Sequence, residues 1–188
     1  MIDIDNNTLE YFETFKKKYK PKRYQEDCNN SELKEAIRND LLDKQRGQCA
    51  YCERYIDNGK GNFHIEHIQP RDKDHTKECE YTNIVLSCNS DDSCGKFKDN
   101  KEWKDNFIHP VLNNPTKYFR FSFNGEILAL DNNKNAEETI KYLNLDSRKL
   151  ISLRKAISYN LSLIKEIDDV NQYFNEFENM IIQLTKEI

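Results

Sequence analysis

Two pairs of cysteines constrain the fold of this chain more than any other feature. Cys49 and Cys52 are separated by two residues, and Cys88 and Cys94 form a second, looser pair. Paired cysteines are typical of structural zinc sites, in which four thiolates surround the ion in a closed tetrahedron. We therefore expect one zinc site with four thiolate ligands to join the two ends of the segment between the pairs.

The expected compartment decides between a metal site and a disulfide framework. No apolar run approaches the roughly 20 residues of a membrane span, and the N-terminal residues lack the basic and apolar regions of a signal peptide. We therefore expect a cytoplasmic protein without a membrane segment. Because cytosolic thiols stay reduced, metal ligation is favoured over disulfides. Cys28 and Cys79 stand alone and are expected to play no part in the site.

The charge balance limits how the chain could bind nucleic acid. Its 188 residues carry 29 Lys and Arg against 33 Asp and Glu, a net charge of -4. Binding through overall positive charge is therefore excluded, and any contact must be local or shared with a partner. One basic cluster could contact phosphates through counterion release, or could be a solvated helix end. Its cations are Lys16, Lys17, Lys18, Lys20, Lys22 and Arg23.

The N-terminal part of the chain has the periodicity of helices. Apolar residues at steps of three and four predict a first helix from Thr8 that Pro21 ends. A capped amphipathic helix is predicted from Ser31, with Gly47 as the stop signal. The second helix would lead directly into the first cysteine pair.

The middle of the chain changes to short β-like runs. These runs, Phe63 to Ile68 and Asn83 to Leu86, lie in polar loops that no long helix fits. A short helix is predicted from Lys96 to Phe107. Asn124-Gly125 further along predicts a β-hairpin with a two-residue turn, between the runs 118–123 and 126–130.

The remainder, 136–188, contains no proline and no glycine and predicts a long amphipathic helix or a helical hairpin. Its apolar stripe could pack on this protein's own core or dock a partner. The stripe consists of Leu150, Leu153, Ile157, Leu161, Ile164, Ile167, Val170, Phe174, Phe177, Ile181 and Leu184. The whole chain is predicted to be α+β, with an N-terminal helical segment (1–48), a zinc-bound centre (49–108) and a C-terminal region (109–188) that could dock a partner.

Chemistry concentrates in the segment His64-Ile65-Glu66-His67 and in Asn83. Strand alternation places His64 and Glu66 on one face and His67 on the other, at a strand end that Pro70 enforces. Phosphodiester cleavage needs a base, a cation and a group that fixes their geometry. His67 has the pKa of a base, Glu66 suits Mg²⁺ or Mn²⁺, and Asn83 could hydrogen-bond to the backbone near His67.

The order of these motifs resembles a known nuclease family. Cys-x2-Cys, Glu-His-Ile-x-Pro, Asn-x4-Cys and Cys-x3-Lys follow one another between Cys49 and Lys98 as in the zinc-bound form of the HNH, or ββα-metal, nucleases. The flanking text from Leu41 to Arg154 is similar to the PtuB family, the HNH subunits of Septu-type and retron-associated anti-phage systems.

The resemblance implies an endonuclease that cuts DNA or RNA in bacterial defence, gated by an ABC-type ATPase partner similar to PtuA. By position, structural zinc would be held by Cys49, Cys52, Cys88 and Cys94. His67 would be the general base, Glu66 would bind the catalytic ion and Asn83 would position the base. Lys98 matches the trailing lysine of the motif and could contact a phosphate.

One departure from the family keeps an alternative open. Many relatives follow the last cysteine with an Asn or His that completes the catalytic metal site, and this chain has Gly95 there. His64 is the first candidate for the missing ligand, and Asn89, Asp92 and Asp99 follow. The alternative is a catalytically degenerate zinc-binding module that acts through its C-terminal helix.

Overall fold

The computed structural model describes residues 1–99, 101, 105–163 and 174–187, and this part of the chain is α+β. It contains seven α-helices and four strands. The strands form two separate two-stranded antiparallel sheets. In chain order the elements are α1 (Glu10–Tyr19), α2 (Tyr24–Asp27), α3 (Ser31–Lys44), β1 (Phe63–His67), β2 (Ile84–Cys88), α4 (Cys94–Lys98), β3 (Phe119–Phe121), β4 (Ile127–Ala129), α5 (Lys134–Leu143), α6 (Arg148–Ser162) and α7 (Glu178–Thr185).

The two helices predicted at the N-terminus are present. The first ends where Lys20 adopts a left-handed conformation, one residue before Pro21. The second, α3, is capped by Asn30, whose side chain accepts a hydrogen bond from the Leu33 amide, so the cap lies one residue before the predicted Ser31. An Asn at this position satisfies one of the free amides of the first turn.

The centre of the chain forms a ββα unit. Strands β1 and β2 pair antiparallel, with Phe63 opposite Cys88 and His67 opposite Ile84, and α4 follows and packs on β2. The helix predicted from Lys96 to Phe107 begins earlier, at Cys94, and ends at Lys98 because Asp99 has a φ of 40°. Residues 100 and 102–104 of that prediction, including Trp103, lie outside the described residues.

The predicted hairpin is present, but its turn is longer by one residue. Phe121 pairs with Ile127, and the Gly125 amide donates to the Ser122 carbonyl, which makes the loop Phe123-Asn124-Gly125. Gly125 has a φ of +84°. The prediction of a two-residue turn was therefore wrong: Gly125 occupies the left-handed position of a three-residue hairpin, for which Asn-Gly serves equally well.

Two alternatives were predicted for the C-terminal region, and of these the single long helix is wrong. Helix α5 ends before Asn144, which has a φ of 51°, and α6 begins after Ser147, whose hydroxyl caps the Leu150 amide. The region contains no proline and no glycine, so no stop signal in the sequence marked this break. Helices α6 and α7 contact each other. The link 164–173, with Ile164, Ile167 and Val170, lies outside the described residues.

The apolar stripe of the C-terminal region packs on this protein's own core. Leu150, Leu161, Phe177, Ile181 and Leu184 are all at most 1% exposed and belong to one core cluster with residues of the ββα unit and of the N-terminal segment. These residues are therefore not available as a docking surface. Phe107 also lies in this core, as expected.

Contacts at the start of the chain tie the three predicted segments together. The buried ammonium of Met1 forms an ion pair with the buried carboxylate of Glu53. The same carboxylate accepts a hydrogen bond from the Asn179 amide at 2.9 Å, and the carbonyl of Glu53 accepts one from Phe177. Among the described residues, no helix is long and apolar enough to cross a membrane.

The hairpin turn provides a sharp test of the packing between β3–β4 and α6. A Cβ added at Gly125 would lie 2.2 Å from the Ile151 carbonyl oxygen, whereas one added at Gly61, also left-handed at φ +56°, would meet nothing within 4 Å. We expect Gly61→Ala to cost about 1–2 kcal/mol of unfolding free energy from the backbone alone. Gly125→Ala should cost roughly 1–3 kcal/mol more because of overpacking. Urea unfolding measures both, and equal losses would contradict the packing.

Candidate metal centre and active site

The four paired cysteines meet at one buried point. The Sγ atoms of Cys49, Cys52, Cys88 and Cys94 all lie within 4.8 Å of one another, and each residue is at most 2% exposed. A tetrahedral zinc site with bonds of about 2.3 Å places its sulfurs about 3.8 Å apart, and the sulfurs of Cys52 and Cys88 are 3.8 Å apart. The cluster could therefore hold a metal ion such as zinc.

Three elements deliver these sulfurs. The turn after α3 carries Cys49 and Cys52 and is closed by hydrogen bonds from the Cys49 amide to the Arg54 carbonyl and from the Glu53 amide to the Cys49 carbonyl. The other two cysteines end β2 and begin α4. A bound ion would thus join the α3 turn to both ends of the loop 89–93, as the bracketing pairs predicted.

The surroundings of the cluster favour a thiolate at Cys49, whereas burial raises the pKa of the Cys52 and Cys94 thiols well above its usual value. The Cys88 amide donates to the sulfur of Cys49 at 3.3 Å. Burial would raise the pKa of the Cys49 thiol, but hydrogen bonds from the other three thiols lower it well below its usual value. The half-buried Arg54 lies close enough that, against the effect of burial, the charge of the four cysteines raises its pKa. A cation here offsets the net negative charge that four thiolates leave around a divalent ion.

His67 is the last residue of β1, and it is buried. Its Nε2 lies 2.9 Å from the Glu78 carbonyl oxygen, so Nε2 carries the hydrogen and donates it. The Tyr24 ring packs edge-on against the imidazole, with 4.6 Å between ring centroids. Burial lowers the pKa of His67 to about 4. The imidazole is consequently neutral at pH 7, and Nδ1 accepts no hydrogen bond from the described residues.

Asn83 braces the backbone just beyond His67, close to where the sequence predicted it. Its Oδ1 accepts from the Gln69 amide at 2.8 Å, and its amide donates to the carbonyls of Gln69 and Lys77. These bonds hold the end of β1 against the loop that carries Glu78. Asn83 thus reaches His67 through two backbone segments, without touching the imidazole.

Glu66 lies on the same face as His64, as strand alternation predicted. Its Oε2 is 3.2 Å from His64 Nε2, and its Oε1 is 2.8 Å from the Lys98 ammonium. Oε1 accepts no hydrogen bond with favourable geometry. Burial would raise the pKa of Glu66, but His64 and Lys98 lower it below its usual value, so the carboxylate is ionised.

Lys98 does not occupy the place expected of a phosphate contact. Its side chain is 2% exposed, and its ammonium donates to the His67 carbonyl oxygen at 3.0 Å while pairing with Glu66. A buried ammonium needs such partners. The structure therefore corrects the expectation. The Lys98 ammonium is engaged by Glu66 and by the His67 carbonyl, and it connects α4 to the end of β1.

Asn89 fixes the orientation of His64. The Asn89 amide donates to the carbonyls of Gly61 and Phe63, which turns its Oδ1 towards His64 Nδ1 at 2.9 Å. Nδ1 of His64 must then carry a hydrogen, and Nε2 points at Glu66. Such an outer-shell acceptor is typical of a histidine that ligates a metal through its other nitrogen.

Gly95 is explained by the space that Glu66 occupies. A Cβ at Gly95 would lie 2.8 Å from the Glu66 Cδ and 2.9 Å from the Ser87 Oγ. The Asn or His found here in many relatives of the resembled family would displace the carboxylate. The missing third ligand is thus coupled to the position of Glu66 against α4.

The other candidates for the third ligand separate clearly. Asn89 has both its amide and its oxygen engaged, and Asp92 hydrogen-bonds to Ser90 and Ser93 in the loop before α4. Asp99 lines the same cavity of about 270 Å³ as His64, Glu66 and His67. The geometry favours His64, with Asp99 at the cavity rim.

The basic cluster begins in α1 and ends near the site. Lys16 pairs with Glu80 at 2.9 Å, and Arg23 pairs with Glu78 at 3.0 Å. The cations between them are exposed, namely Lys17, Lys18, Lys20 and Lys22. Arg71 lines both the cavity of His67 and a neighbouring depression that includes Arg23, so the cluster borders the site at one end.

Several residues around His67 were missed from the sequence. Tyr24, Glu78 and Arg71 lie in a four-residue helix and in irregular chain, where no periodicity identifies buried positions. The thiols of Cys28 and Cys79 lie 3.8 Å apart, so these cysteines do not stand alone as expected. His75 bonds to the Glu78 carboxylate, and His109 accepts hydrogen bonds from two backbone amides.

No protein-family model matches the chain, and no curated protein matches it.

Removing one sulfur tests the metal centre. We expect the purified chain to contain about one zinc ion and Cys49→Ser to lose it, because three thiolates bind zinc more weakly than four. The melting temperature of this variant should fall by roughly 10 °C or more, since structural zinc contributes several kcal/mol to folding. Elemental analysis and calorimetry measure both. Cys79→Ala, a matched change at a buried cysteine outside the cluster, should keep the zinc, and a zinc-loaded Cys49→Ser would contradict the site.

Proposed function

We propose that this chain is a metal-dependent endonuclease of the HNH type that hydrolyses phosphodiester bonds of nucleic acid, with His67 as the general base. The observation that carries the proposal is the hydrogen bond from His67 Nε2 to the Glu78 carbonyl. This bond fixes the tautomer and leaves the Nδ1 lone pair free beside a cavity that Glu66 also lines. A nuclease needs a base and a carboxylate arranged in this way.

The imidazole of His67 is in the unprotonated form that can accept a proton from water, although its lowered pKa makes it a weaker base than a free imidazole. Because burial lowers its pKa to about 4, the imidazole is already unprotonated at pH 7. The proton of the attacking water would pass to Nδ1, while Nε2 keeps its own hydrogen and donates it to the Glu78 carbonyl. The edge-on Tyr24 ring and the Asn83 bonds to neighbouring backbone would hold the imidazole in place.

Glu66 and His64 form a pair that fits a divalent cation. The Glu66 carboxylate and His64 Nε2 each present a lone pair across 3.2 Å, an arrangement that needs a proton or a metal ion between or beside them. The poorly satisfied Oε1 of Glu66 adds a second oxygen. Bound Mg²⁺ or Mn²⁺ would offset the charge developing on the phosphate and stabilise the leaving oxygen. Lys98 would keep Glu66 ionised and would connect α4 to β1.

Of the exposed cations that line the cavity, Lys96 pairs with Asp91 at 3.0 Å, which leaves Arg71 as the better phosphate contact. The Arg71 guanidinium donates to Gln25 and approaches no carboxylate within ion-pair distance in the described residues. A depression that Arg71 and Arg23 line together with Glu26, Asp72 and Glu78 leads from the cavity towards the exposed lysines of the basic cluster. A nucleic-acid strand crossing the cavity would follow this line.

A net charge of -4 agrees with substrate binding shared with a partner. We therefore retain in the proposal the ABC-type ATPase similar to PtuA, and with it a role in bacterial anti-phage defence in the cytoplasm. The alternative, a degenerate zinc module acting through its C-terminal helix, is disfavoured because the described apolar stripe of that helix is buried.

The base is tested by substitution against a matched histidine. His67→Ala should lower cleavage of plasmid DNA or bulk RNA, in Mg²⁺ or Mn²⁺, by about 10²–10⁴-fold, the contribution of a positioned base. His67→Asn serves as a second variant, because its amide can still donate to the Glu78 carbonyl. The control is His75→Ala, which removes an exposed imidazole that contacts the Glu78 side chain and not its carbonyl. This variant should cleave like wild type.

The assay is run with and without the ATPase partner, and EDTA should abolish cleavage. Zinc content and melting temperature identify any variant that has lost its fold. If wild type and both His67 variants give the same background under every condition, the enzymatic proposal fails.

A further inference from the structure

The thiols of Cys28 and Cys79 belong to the two segments that contact His67. Cys28 follows α2, and Cys79 follows Glu78 in the chain. Their sulfurs are 3.8 Å apart, although the two residues are 51 positions apart in sequence. The only group of three or more metal-ligating side chains among the described residues is the four-cysteine cluster, so these two thiols are not explained by metal binding.

Each thiol belongs to a segment that supports the base. On the Cys28 side, the Tyr24 ring of α2 packs on the His67 imidazole. On the Cys79 side, the Glu78 carbonyl accepts the Nε2 hydrogen. The Tyr24 amide also donates to the Glu78 carboxylate at 2.9 Å. The two thiols therefore sit across the seam between the two supports of one imidazole.

We propose that Cys28 and Cys79 form a reversible disulfide when the protein meets a peroxide, and that this bond alters the support of His67. The disulfide requires the sulfurs to approach by roughly 1.8 Å, to the usual bond length near 2.05 Å. Rotation of the side chains and movement of α2 against residues 78–79 supply this approach. Both supports of the imidazole are on the moving segments.

The chemistry is balanced with hydrogen peroxide as the oxidant. The Cys28 thiolate attacks one peroxide oxygen, which forms a sulfenic acid and releases hydroxide. The Cys79 sulfur then attacks the oxidised sulfur, forms the S–S bond and releases a second hydroxide, and the two thiol protons convert both to water. Two sulfurs lose two electrons in total, and the peroxide gains them. A dithiol reductant reverses the bond.

Cys28 is the better nucleophile of the pair. The hydrogen bond from Cys79 lowers the pKa of the Cys28 thiol, whereas that of Cys79 is raised. A thiolate stabilised by a neighbouring thiol is typical of reactive cysteine pairs. Cys28 and Cys79 are buried, at 0% and 5% exposed, so peroxide would reach them through local opening of α2 and of the irregular chain around Glu78.

The test uses the zinc-loaded full chain, treated with hydrogen peroxide and then digested. Mass spectrometry should find a peptide pair linked through Cys28 and Cys79, which dithiothreitol separates, with zinc retained. Cys28→Ala and Cys79→Ala should each abolish the link, and if one variant fails to fold, the other serves. The decisive dose of peroxide is the one that begins to release zinc. If both thiols can still be alkylated at that dose, or carry sulfinic acids without a link, the proposed disulfide is wrong.

The effect on the base is read first without any activity assay. The ¹⁵N resonances of the His67 imidazole should shift between the reduced and oxidised forms and return on reduction. Unchanged resonances in a chain that carries the disulfide would overturn the coupling to His67.

The functional consequence rests on the proposed nuclease. Cleavage by the oxidised chain should fall by roughly tenfold or more, as part of what a positioned base contributes, and Cys28→Ala should keep its activity after peroxide. If the reduced wild type cuts nothing, the proposed function fails, while the linked peptide and the imidazole resonances still decide this inference.

Discussion

Four cysteine sulfurs within 4.8 Å of one another are the constraint on which the rest of the structure depends. The ββα unit has two strands of five residues and a helix of five, too little to be stable alone. An ion bound by the four sulfurs would join the turn after α3 to the end of β2 and the start of α4. The same turn carries Glu53, which meets the N-terminal ammonium and Asn179. An ion in the four-cysteine cluster would therefore also help to anchor the C-terminal helices.

A second set of charges depends on that frame. Glu66, His64 and Lys98 form a chain of contacts across β1 and α4 that is largely buried, and Gly95 leaves the carboxylate its space. Buried charges are maintained only when they are paired. The same contacts bring two possible metal ligands, His64 Nε2 and Glu66 Oε2, within 3.2 Å of each other. His67, one residue further along, turns to the opposite side and is held by Tyr24 and Glu78.

The sequence predicted those parts of the fold that are set by local chemistry. Paired cysteine spacing predicted the four-sulfur cluster, strand alternation placed His64 beside Glu66, and Asn124-Gly125 predicted the hairpin. The predictions that were wrong concern features that depend on tertiary contacts or on an unusual backbone conformation. Lys98 has the spacing of a phosphate contact, but its ammonium pairs with the buried carboxylate of Glu66. The break at Asn144 is marked by no proline or glycine, because the asparagine itself adopts the left-handed conformation.

The supports of His67 could not be predicted for a related reason. Tyr24 comes from a four-residue helix, and Glu78 contacts His67 through its backbone carbonyl. A backbone acceptor leaves no signature in residue identity. The proximity of Cys28 and Cys79 has the same origin, since it follows from docking α2 on the chain around Glu78.

Anomalous diffraction from crystals of the zinc-loaded chain grown in Mn²⁺ tests the central claim most directly, because it separates the two metals by position. We expect a zinc peak among the four sulfurs and a distinct manganese peak at the Glu66 carboxylate beside His64. Manganese absent from Glu66 in crystals whose four-cysteine cluster is loaded would contradict a metal-dependent nuclease at this site.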